Sequence, residues 1–366
     1  MLLIWQKYHI DWRIFLTVWI VYLFHLAPLP AANENRYLDL VISLVEEGRF
    51  EIDTYHHNTL DKSYYKGHYY AGAAPGPSLL AIPGYLVFKA GKAFVPEPFG
   101  QYDKAGYIRS FLKSDQASDD FLTAYPFGDF VLLHLWLSAL ISGLTTALTA
   151  VMLYRCARHI SGDEFTGQLT ALALAFGSIC FFYAIRLYAH NVSTFFLFSA
   201  FMTVHPWCDR DRLTSQRLAC AGLLAGLSVV MDYSAGPISG ILILYMLWQT
   251  PRTQWLYPVA GIGICAVGMM LYHYIHFGHP LTTPYSLPTD PSSYGSHAEY
   301  QEGLGGFSLP PLSRFWDLTF GGYRGIFIYM PIALAALIGL IVQARRTTLS
   351  VWHFVLAAFV LQMVFT

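Results

Sequence analysis

Charged side chains are scarce in this sequence. Asp, Glu, Lys and Arg make up only 12% of the 366 residues, whereas ordinary soluble domains have about 25%. The net charge is −1, so the chain lacks the basic surface that nucleic-acid binding requires. Hydrophobic residues account for 55% of the chain and recur in long runs. Together these features predict an integral membrane protein.

Cysteine is rare as well, and it is absent from the two long polar segments of the chain. The five cysteines are Cys156, Cys180, Cys208, Cys220 and Cys265. None of them shows the spacing of zinc ligands. We therefore expect free thiols buried among apolar residues.

Long apolar runs dominate the rest of the sequence. They occur at 14–32, 78–95, 127–154, 166–185, 189–206, 217–231, 236–250, 255–276, 325–343 and 349–366. If every run except 78–95 crosses the membrane, all the short segments rich in Lys and Arg fall on one side, as cytoplasmic loops do. Lys89 and Lys92 would also be costly at membrane depth. The sequence therefore predicts nine spans, with 78–95 as an interfacial or re-entrant segment.

The predicted fold class is an all-α integral membrane protein with about nine transmembrane helices in a single domain, 1–366. The N-terminus is predicted to be cytoplasmic, and the first span is predicted to stay uncleaved because Pro30 makes a poor signal-peptidase site. Two large outer loops are predicted at 33–126 and 277–324. The last apolar run stops at Thr366, and we expect the natural chain to continue beyond it.

The first outer loop is predicted to carry interfacial helices. Apolar residues recur at helical spacing over 37–47 and Gly48 ends the pattern, which predicts a short helix on the membrane surface with Asp39 on its polar face. A tract rich in Tyr and His follows, and then the segment at 78–95. Together these segments would cover the outer ends of the spans. The enclosed cavity at the water–lipid boundary suits a substrate with a lipid tail and a polar head.

The order of motifs resembles that of the glycosyltransferase C superfamily, whose members use lipid-linked sugars. The closest resemblance is to the bacterial branch related to protein mannosyltransferases and aminoarabinose transferases. The segments that carry it are "NENRY" (33–37), "GHYYAGAAPG" (67–76), "RLYAHN" (186–191), "GLSVVMDYSAG" (226–236) and "HFGHPLTTPYS" (276–286). The motifs are loose but extend over most of the chain, so they indicate a superfamily and not a substrate.

The resemblance implies transfer of a sugar from a polyprenyl phosphate to an acceptor hydroxyl on the outer face, usually with inversion. The expected partners are the polyprenyl-phosphate sugar, a lipid, glycan or protein acceptor, and membrane lipids, with no nucleic acid. The compact loops favour a bacterial inner membrane. The resemblance implies no required cofactor. It leaves open whether a divalent metal takes part.

Two departures from the family pattern bear on the metal and on activity. Where an acidic pair is common, the chain has Asn33 and Glu34, so one acid remains. Where an acidic residue and a lysine are common before the proline, it has Gly72 and Ala73. Relatives use these positions to hold the phosphate or a metal. An altered or inactive enzyme is therefore an open alternative.

Three acids are candidates for the base that takes the acceptor proton. Glu34 is the first, because it lies where the chain leaves the first span; the alternative is an acid that only marks the membrane edge. Asp53 and Asp61 are further candidates in the same loop, and each also fits an ordinary turn.

Cations are needed to stabilise the departing phosphate. The candidates are Arg36, Lys62, Arg186 and Arg324. Each has a simpler alternative: Arg36 can pair with Asp39 three residues on, and the others can bind lipid headgroups or extend to the interface.

Aromatic and polar groups are needed to position the sugar. The candidates are His68, Tyr69, Tyr70, His190 and Asp232. The aromatic residues also fit an interfacial belt, and Asp232 also fits a pair with Arg186. His56 and His57 are adjacent but lack a placed carboxylate, so no metal ligands are predicted.

Two other functions remain open from the sequence. A transporter or flippase of a lipid-linked substrate would show inverted repeats or charged residues at mid-span, and the sequence shows neither. A catalytically inactive relative that binds a lipid-linked sugar is the second alternative.

Overall fold

The computed structural model describes residues 2–92, 125–204, 213–287, 312–323 and 325–365. The described chain is predominantly helical, which confirms the all-α prediction. The helices are α1 (Leu2–Phe24), α2 (Ala32–Glu46), α3 (Gly76–Lys92), α4 (Phe127–Leu137), α5 (Leu144–Ser161), α6 (Glu164–Phe176), α7 (Cys180–Ala184), α8 (Ala189–Val204), α9 (Ser215–Met231), α10 (Gly236–Gln249), α11 (Leu256–Phe277), α12 (Leu312–Phe320), α13 (Ile326–Tyr329), α14 (Pro331–Arg346) and α15 (Val351–Phe365).

Among the described residues, two helices are long and apolar enough to cross a membrane. They are Phe127–Ser161, which joins α4 and α5 through a π-helical turn, and Arg252–Phe277, which contains α11. The other predicted spans coincide with shorter helices. Ala189–Val204 and Ser215–Met231, for example, have 16 and 17 residues, slightly below the ~20 that usually span a bilayer. The prediction of nine spans is therefore not confirmed within the part of the chain that the structure describes.

Helices α9 and α11 approach each other closely because small residues line their contact. A Cβ on Gly222 would lie 2.1 Å from the carbonyl oxygen of Pro258, and one on Gly261 would lie 2.3 Å from that of Ala219. Such backbone proximity is typical of helix pairs in membranes, where apolar burial alone does not drive association.

Helix α2 differs from the predicted surface helix. It begins at Ala32, so Glu34 and Arg36 lie in its first turns, and it ends before Gly48, whose φ of 69° fits the predicted stop. The expectation that Asp39 faces water is wrong, because this residue is fully buried. The side-chain amide of Asn58 packs against Asp39 and donates a hydrogen bond to its Oδ1 over 2.9 Å.

Helix α3 corresponds to the segment predicted at 78–95 and packs beside α2. Tyr85 donates to Glu46 Oε1 over 2.7 Å, and Lys89 donates to Glu46 Oε2 over 2.8 Å. Lys92 forms an ion pair with Asp129 at the start of α4. Both lysines that argue against a crossing segment therefore have acidic partners.

A β-hairpin is the only sheet in the described residues. Strands β1 (Lys62–Tyr65) and β2 (His68–Ala71) are antiparallel, with Lys62 opposite Ala71. The turn between them has positive φ at Lys66 (49°) and Gly67 (92°), which matches the twist of a two-residue hairpin loop. The hairpin packs on α2 and brings the residue before β1, Asp61, against that helix.

Candidate functional site

Six of the predicted site residues lie at ends of neighbouring elements and form three linked pairs. They are Glu34 and Arg36 in α2, Asp61 before β1, Arg186 after α7, His190 at the start of α8 and Asp232 after α9. Their pairing, however, differs from the predicted one.

Glu34 and Arg186 form the first pair. Glu34 is fully buried and both of its carboxylate oxygens are occupied, Oε2 by the backbone N–H of Ala31 at 3.1 Å and Oε1 by Arg186 Nη1 at 2.9 Å. The guanidinium of Arg186 also lies over the ring of Phe182. Arg186 Nε is buried and has no hydrogen-bond partner among the described residues. Glu34 thus holds Arg186 in place and presents no free oxygen.

Arg36 and Asp61 form the second pair. Arg36 Nη1 donates to Asp61 Oδ2 at 2.5 Å and to the carbonyl oxygen of Gly72 at 3.0 Å, while Nη2 donates to the hydroxyl of Tyr37 at 3.2 Å. The expected pair of Arg36 with Asp39 is not formed. Burial alone would lower the pKa of Arg36, but the charge of Asp61 holds it well above its usual value. Arg36 Nε is buried and lacks a partner within the described parts of the chain.

Gly72 lies where the chain comes closest to the Arg36–Asp61 pair. Its carbonyl accepts from Arg36, and a Cβ at this position would lie 2.5 Å from Asp61 Oδ1. Any side chain here would displace the carboxylate that pairs with Arg36. The structure therefore requires glycine at this position.

His190 and Asp232 form the third pair. His190 Nδ1 donates to Asp232 Oδ2 at 2.5 Å, and Asp232 Oδ1 accepts the backbone N–H of Ser234 at 3.0 Å. The expected pair of Asp232 with Arg186 is therefore wrong. Burial would raise the pKa of Asp232, but its hydrogen bonds, above all that from His190, hold the pKa below its usual value.

Tyrosine side chains connect the three pairs. Tyr188 interacts electrostatically with Glu34, Arg186 and Arg36, and burial raises its pKa to about 12. Tyr37 likewise experiences the charges of Arg36 and Asp232, and burial raises its pKa to about 12. These hydroxyls are therefore neutral at physiological pH and can donate hydrogen bonds. Sequence reasoning missed both, although each lies next to a predicted residue or motif.

The remaining described candidates form the hairpin and its supports. Asp53 Oδ2 accepts from His68 Nδ1 and Oδ1 accepts from the backbone N–H of Tyr69, both at 2.7 Å. Tyr70 is buried and donates to Glu51 Oε1 at 3.1 Å. These contacts support the hairpin. The roles expected of Asp53 in catalysis and of Tyr70 in sugar binding stay predictions.

Lys62 and Tyr69 both contact His56. Lys62 Nζ donates to the carbonyl oxygen of His56 at 2.8 Å and lies 3.1 Å from His56 Nδ1. The rings of His56 and Tyr69 stack at 3.8 Å, so this tyrosine face is taken by the protein itself. The ring of His57 lies 3.8 Å from that of His56, tilted by 38°. Within the described ranges no three His, Cys, Asp or Glu side chains are grouped as metal ligands.

One candidate cannot be placed. Arg324 lies outside the described residues. No family model, curated protein or solved structure matches the chain. Function is therefore inferred from the geometry of the three pairs.

Proposed function

We propose that the protein is an integral membrane glycosyltransferase. It moves a sugar from a polyprenyl phosphate to an acceptor hydroxyl at the extracytoplasmic face, with inversion at the anomeric carbon. The observation that carries the proposal is the pair of guanidiniums of Arg36 and Arg186. Each is oriented by one carboxylate, and each keeps a buried Nε–H without a described partner.

The two arginines suit a phosphate group. A buried N–H without a partner costs free energy, so native proteins satisfy such groups with protein, water or ligand. Guanidinium is the side chain best matched to phosphate oxygens, because it offers several donors in a rigid plane. Asp61 and Glu34 occupy Nη1 of each arginine and leave Nε for another acceptor. An oxyanion that bridges Arg36 and Arg186 would satisfy both groups.

The exposed apolar surface supports a membrane location. In the window of Arg252–Phe277 with the highest hydropathy, only 17% of the residues are buried within the protein. Ile264, Val267 and Ile275 are each more than 60% exposed on this helix. A soluble protein rarely exposes such a continuous apolar face, whereas lipid covers it without cost. We infer that this helix contacts lipid.

The charge distribution supports a site on the outer side of nine spans. Because consecutive spans alternate in direction, the ends of α1, α7, α9 and α11 and the starts of α8 and α10 lie on the same side as the site. The opposite ends carry the basic residues Arg155, Arg158, Arg252, Arg345 and Arg346. By the positive-inside rule that end is cytoplasmic, so the site is extracytoplasmic.

An apolar cavity near the site fits the lipid part of the donor. It has a volume of about 260 Å³ and lies between α8, α10 and α15. Thr194, at one end, donates to the carbonyl oxygen of His190 over 2.8 Å, and Tyr245 and Val351 lie near the cytoplasmic ends of their helices. We infer that the cavity receives isoprene units while the phosphate reaches the arginines.

Thermal-shift titration of the detergent-purified protein tests the donor class. A ligand that binds the folded state raises the melting temperature. We expect stabilisation by polyprenyl-phosphate sugars and by decaprenyl phosphate, but not by nucleotide sugars or the neutral polyprenol. The variant Arg186→Gln should lose the response, whereas Arg158→Gln, at the other end of the helices, should keep it. A wild-type protein that responds to no lipid phosphate would refute the proposal.

Product analysis separates transfer from transport. A transferase releases free polyprenyl phosphate in detergent, where no compartments exist. A flippase moves its substrate between leaflets of sealed vesicles and leaves it chemically unchanged. We expect release of polyprenyl phosphate; binding without chemical change would favour transport or an inactive relative.

A further inference from the structure

His190 and Asp232 hold each other in the geometry of an imidazole–carboxylate dyad. The ring Nδ1–H donates to Asp232 Oδ2, and Asp232 Oδ1 is fixed by the backbone N–H of Ser234. A carboxylate at Nδ1 keeps the proton on that nitrogen, so Nε2 of the neutral ring carries a lone pair. Nε2 makes no hydrogen bond to any residue that the structure describes.

The dyad is accessible on the histidine side only. The His190 side chain is 49% exposed, whereas that of Asp232 is 12% exposed. The rings of Tyr183 and Tyr188 flank the imidazole with centroids 4.9 and 6.0 Å away. The histidine can therefore meet a substrate while the carboxylate behind it stays largely shielded from water.

A purely structural role explains the dyad poorly. His190 and Asp232 connect the adjoining ends of α8 and α9, but a buried hydrogen bond already joins these helices one turn away. There Ser193 Oγ donates to the carbonyl oxygen of Ser228 over 2.8 Å. A second contact at this point is therefore not required to join the two helices.

The acids of the site are poorly placed to take a proton. Both oxygens of Glu34 are engaged, and the residue is fully buried. Oδ2 of Asp61 is engaged by Arg36 at 2.5 Å, and Asp53 accepts two hydrogen bonds within the hairpin. Two described candidates, His190 and His68, pair an exposed imidazole with a carboxylate. Of these, His190 lies beside Tyr188, which interacts with both arginines.

The dyad also borders the arginines. Tyr37 accepts a hydrogen bond from Arg36 and experiences the charge of Asp232, and Tyr285 experiences the charges of Arg36 and Asp232. Tyr188, whose ring stacks near His190, interacts with both Arg36 and Arg186. A phosphate held by the arginines therefore places its sugar close to the imidazole.

We propose that His190 is the general base of the transfer and that Asp232 is its positioning residue. This inference rests on the proposed glycosyltransferase function. The acceptor oxygen forms a bond to the anomeric carbon as its proton passes to His190 Nε2. The bond between the anomeric carbon and the phosphate oxygen breaks, and its electron pair stays on the polyprenyl phosphate beside Arg36 and Arg186. The imidazolium, stabilised by Asp232, then gives the proton to water.

The test compares binding and turnover in the full-length protein. Binding is measured with decaprenyl phosphate, and turnover is measured as release of polyprenyl phosphate from a panel of polyprenyl-phosphate hexoses and pentoses, with a membrane lipid extract as acceptor. We expect His190→Gln to lower kcat at least ~100-fold, with donor KM and decaprenyl-phosphate Kd within about threefold of wild type. His159→Gln, an exposed histidine at the opposite helix ends, is the matched control.

Two further variants separate a base from a structural residue. Imidazole added to His190→Gly should restore part of kcat, which a merely structural histidine would not allow. Asp232→Asn should lower kcat while decaprenyl-phosphate binding is kept. If wild-type protein turns over and His190→Gln keeps kcat within about threefold, or if imidazole restores nothing, the assignment of His190 is wrong while the proposed function stands. If wild-type protein binds lipid phosphate but converts no donor, both are wrong.

Discussion

Arg186 Nη1 and Glu34 Oε1 lie 2.9 Å apart although 152 residues separate them in the chain. The contact fixes the segment after α7 against the first turn of α2. It also gives the fully buried Glu34 the cation that its burial requires. The acid expected to be the catalytic base therefore also orients one of the two arginines.

This pair predicts a large coupling in a double-mutant cycle. Glu34→Ala and Arg186→Ala should each lower the free energy of unfolding, because each leaves a charge without its partner. The double variant should lose about 1–3 kcal/mol less than the sum of the single losses. SDS titration in detergent micelles measures the free energies of unfolding of the wild type and the three variants.

The exposed pair of Arg158 and Glu164 is the control for that cycle. Its charges are 4.0 Å apart and both side chains are about half exposed, so the coupling should stay below about 0.5 kcal/mol. Additive losses for Glu34 and Arg186 would contradict the buried contact.

Gly72 should not tolerate even alanine. The new Cβ would lie 2.5 Å from Asp61 Oδ1 and 3.0 Å from the Asp61 carbonyl oxygen, so Asp61 and its partner Arg36 must shift. We expect Gly72→Ala to lower the free energy of unfolding by about 1–3 kcal/mol and to weaken decaprenyl-phosphate binding. Gly240→Ala, in α10 with nothing within 4 Å, should be neutral or stabilising. Equal effects at the two glycines would refute this packing.

Because Asp39 is buried, we expect its contribution to the free energy of unfolding to fall as the pH rises. Burial raises the pKa of this carboxyl well above its usual value, and the amide of Asn58 and the charge of Lys62 lower it only in part. The unfolded carboxyl ionises near pH ~3.9, so between that pH and the folded-state pKa the folded protein binds more protons than the unfolded chain. Wild-type stability contributed by Asp39 therefore decreases as pH rises through this window.

The variant Asp39→Asn removes that loss and keeps an acceptor for Asn58. We expect it to be about 1–3 kcal/mol more stable than wild type at pH 7–8, with the gain disappearing towards pH 4. Asp163→Asn is the contrasting control, because hydrogen bonds from Thr166 lower the pKa of the exposed Asp163. Its difference from wild type should have the opposite sign at neutral pH. Thermal unfolding across the pH range measures both, and a pH-independent difference for Asp39→Asn would contradict the prediction.

The apolar cavity predicts selectivity for chain length. Ala358 lines it, whereas the neighbouring Ala357 in α15 is exposed and does not. Ala358→Phe should fill the cavity and weaken decaprenyl-phosphate binding at least about tenfold, since several buried methylenes are lost. Binding of short geranyl phosphate should be unchanged, and Ala357→Phe should alter neither. Equal loss for both chain lengths would place the lipid tail elsewhere.

Part of the fold and of the site followed from local pattern. Apolar runs predicted helices where the structure has them, and Gly48 marked the end of α2 because its positive φ suits a helix terminus. Glu34, Arg36, Arg186, His190 and Asp232 were found because ionisable residues at the ends of apolar helices are conspicuous. The prediction of nine spans is not confirmed, because several of the helices are shorter than the apolar runs that predicted them.

Local sequence pattern was enough to predict the helices and the charges at their ends, because both depend on neighbours within a few positions. The partners of those charges became clear only from the fold: Asp61 and not Asp39 for Arg36, Glu34 and not Asp232 for Arg186, and His190 for Asp232. Helical periodicity likewise put Asp39 on a polar face but could not show that Asn58 covers it. A charged side chain pairs with the group that folding brings within about 3 Å of it. Coulombic attraction depends on the distance in space and not on the separation in the sequence.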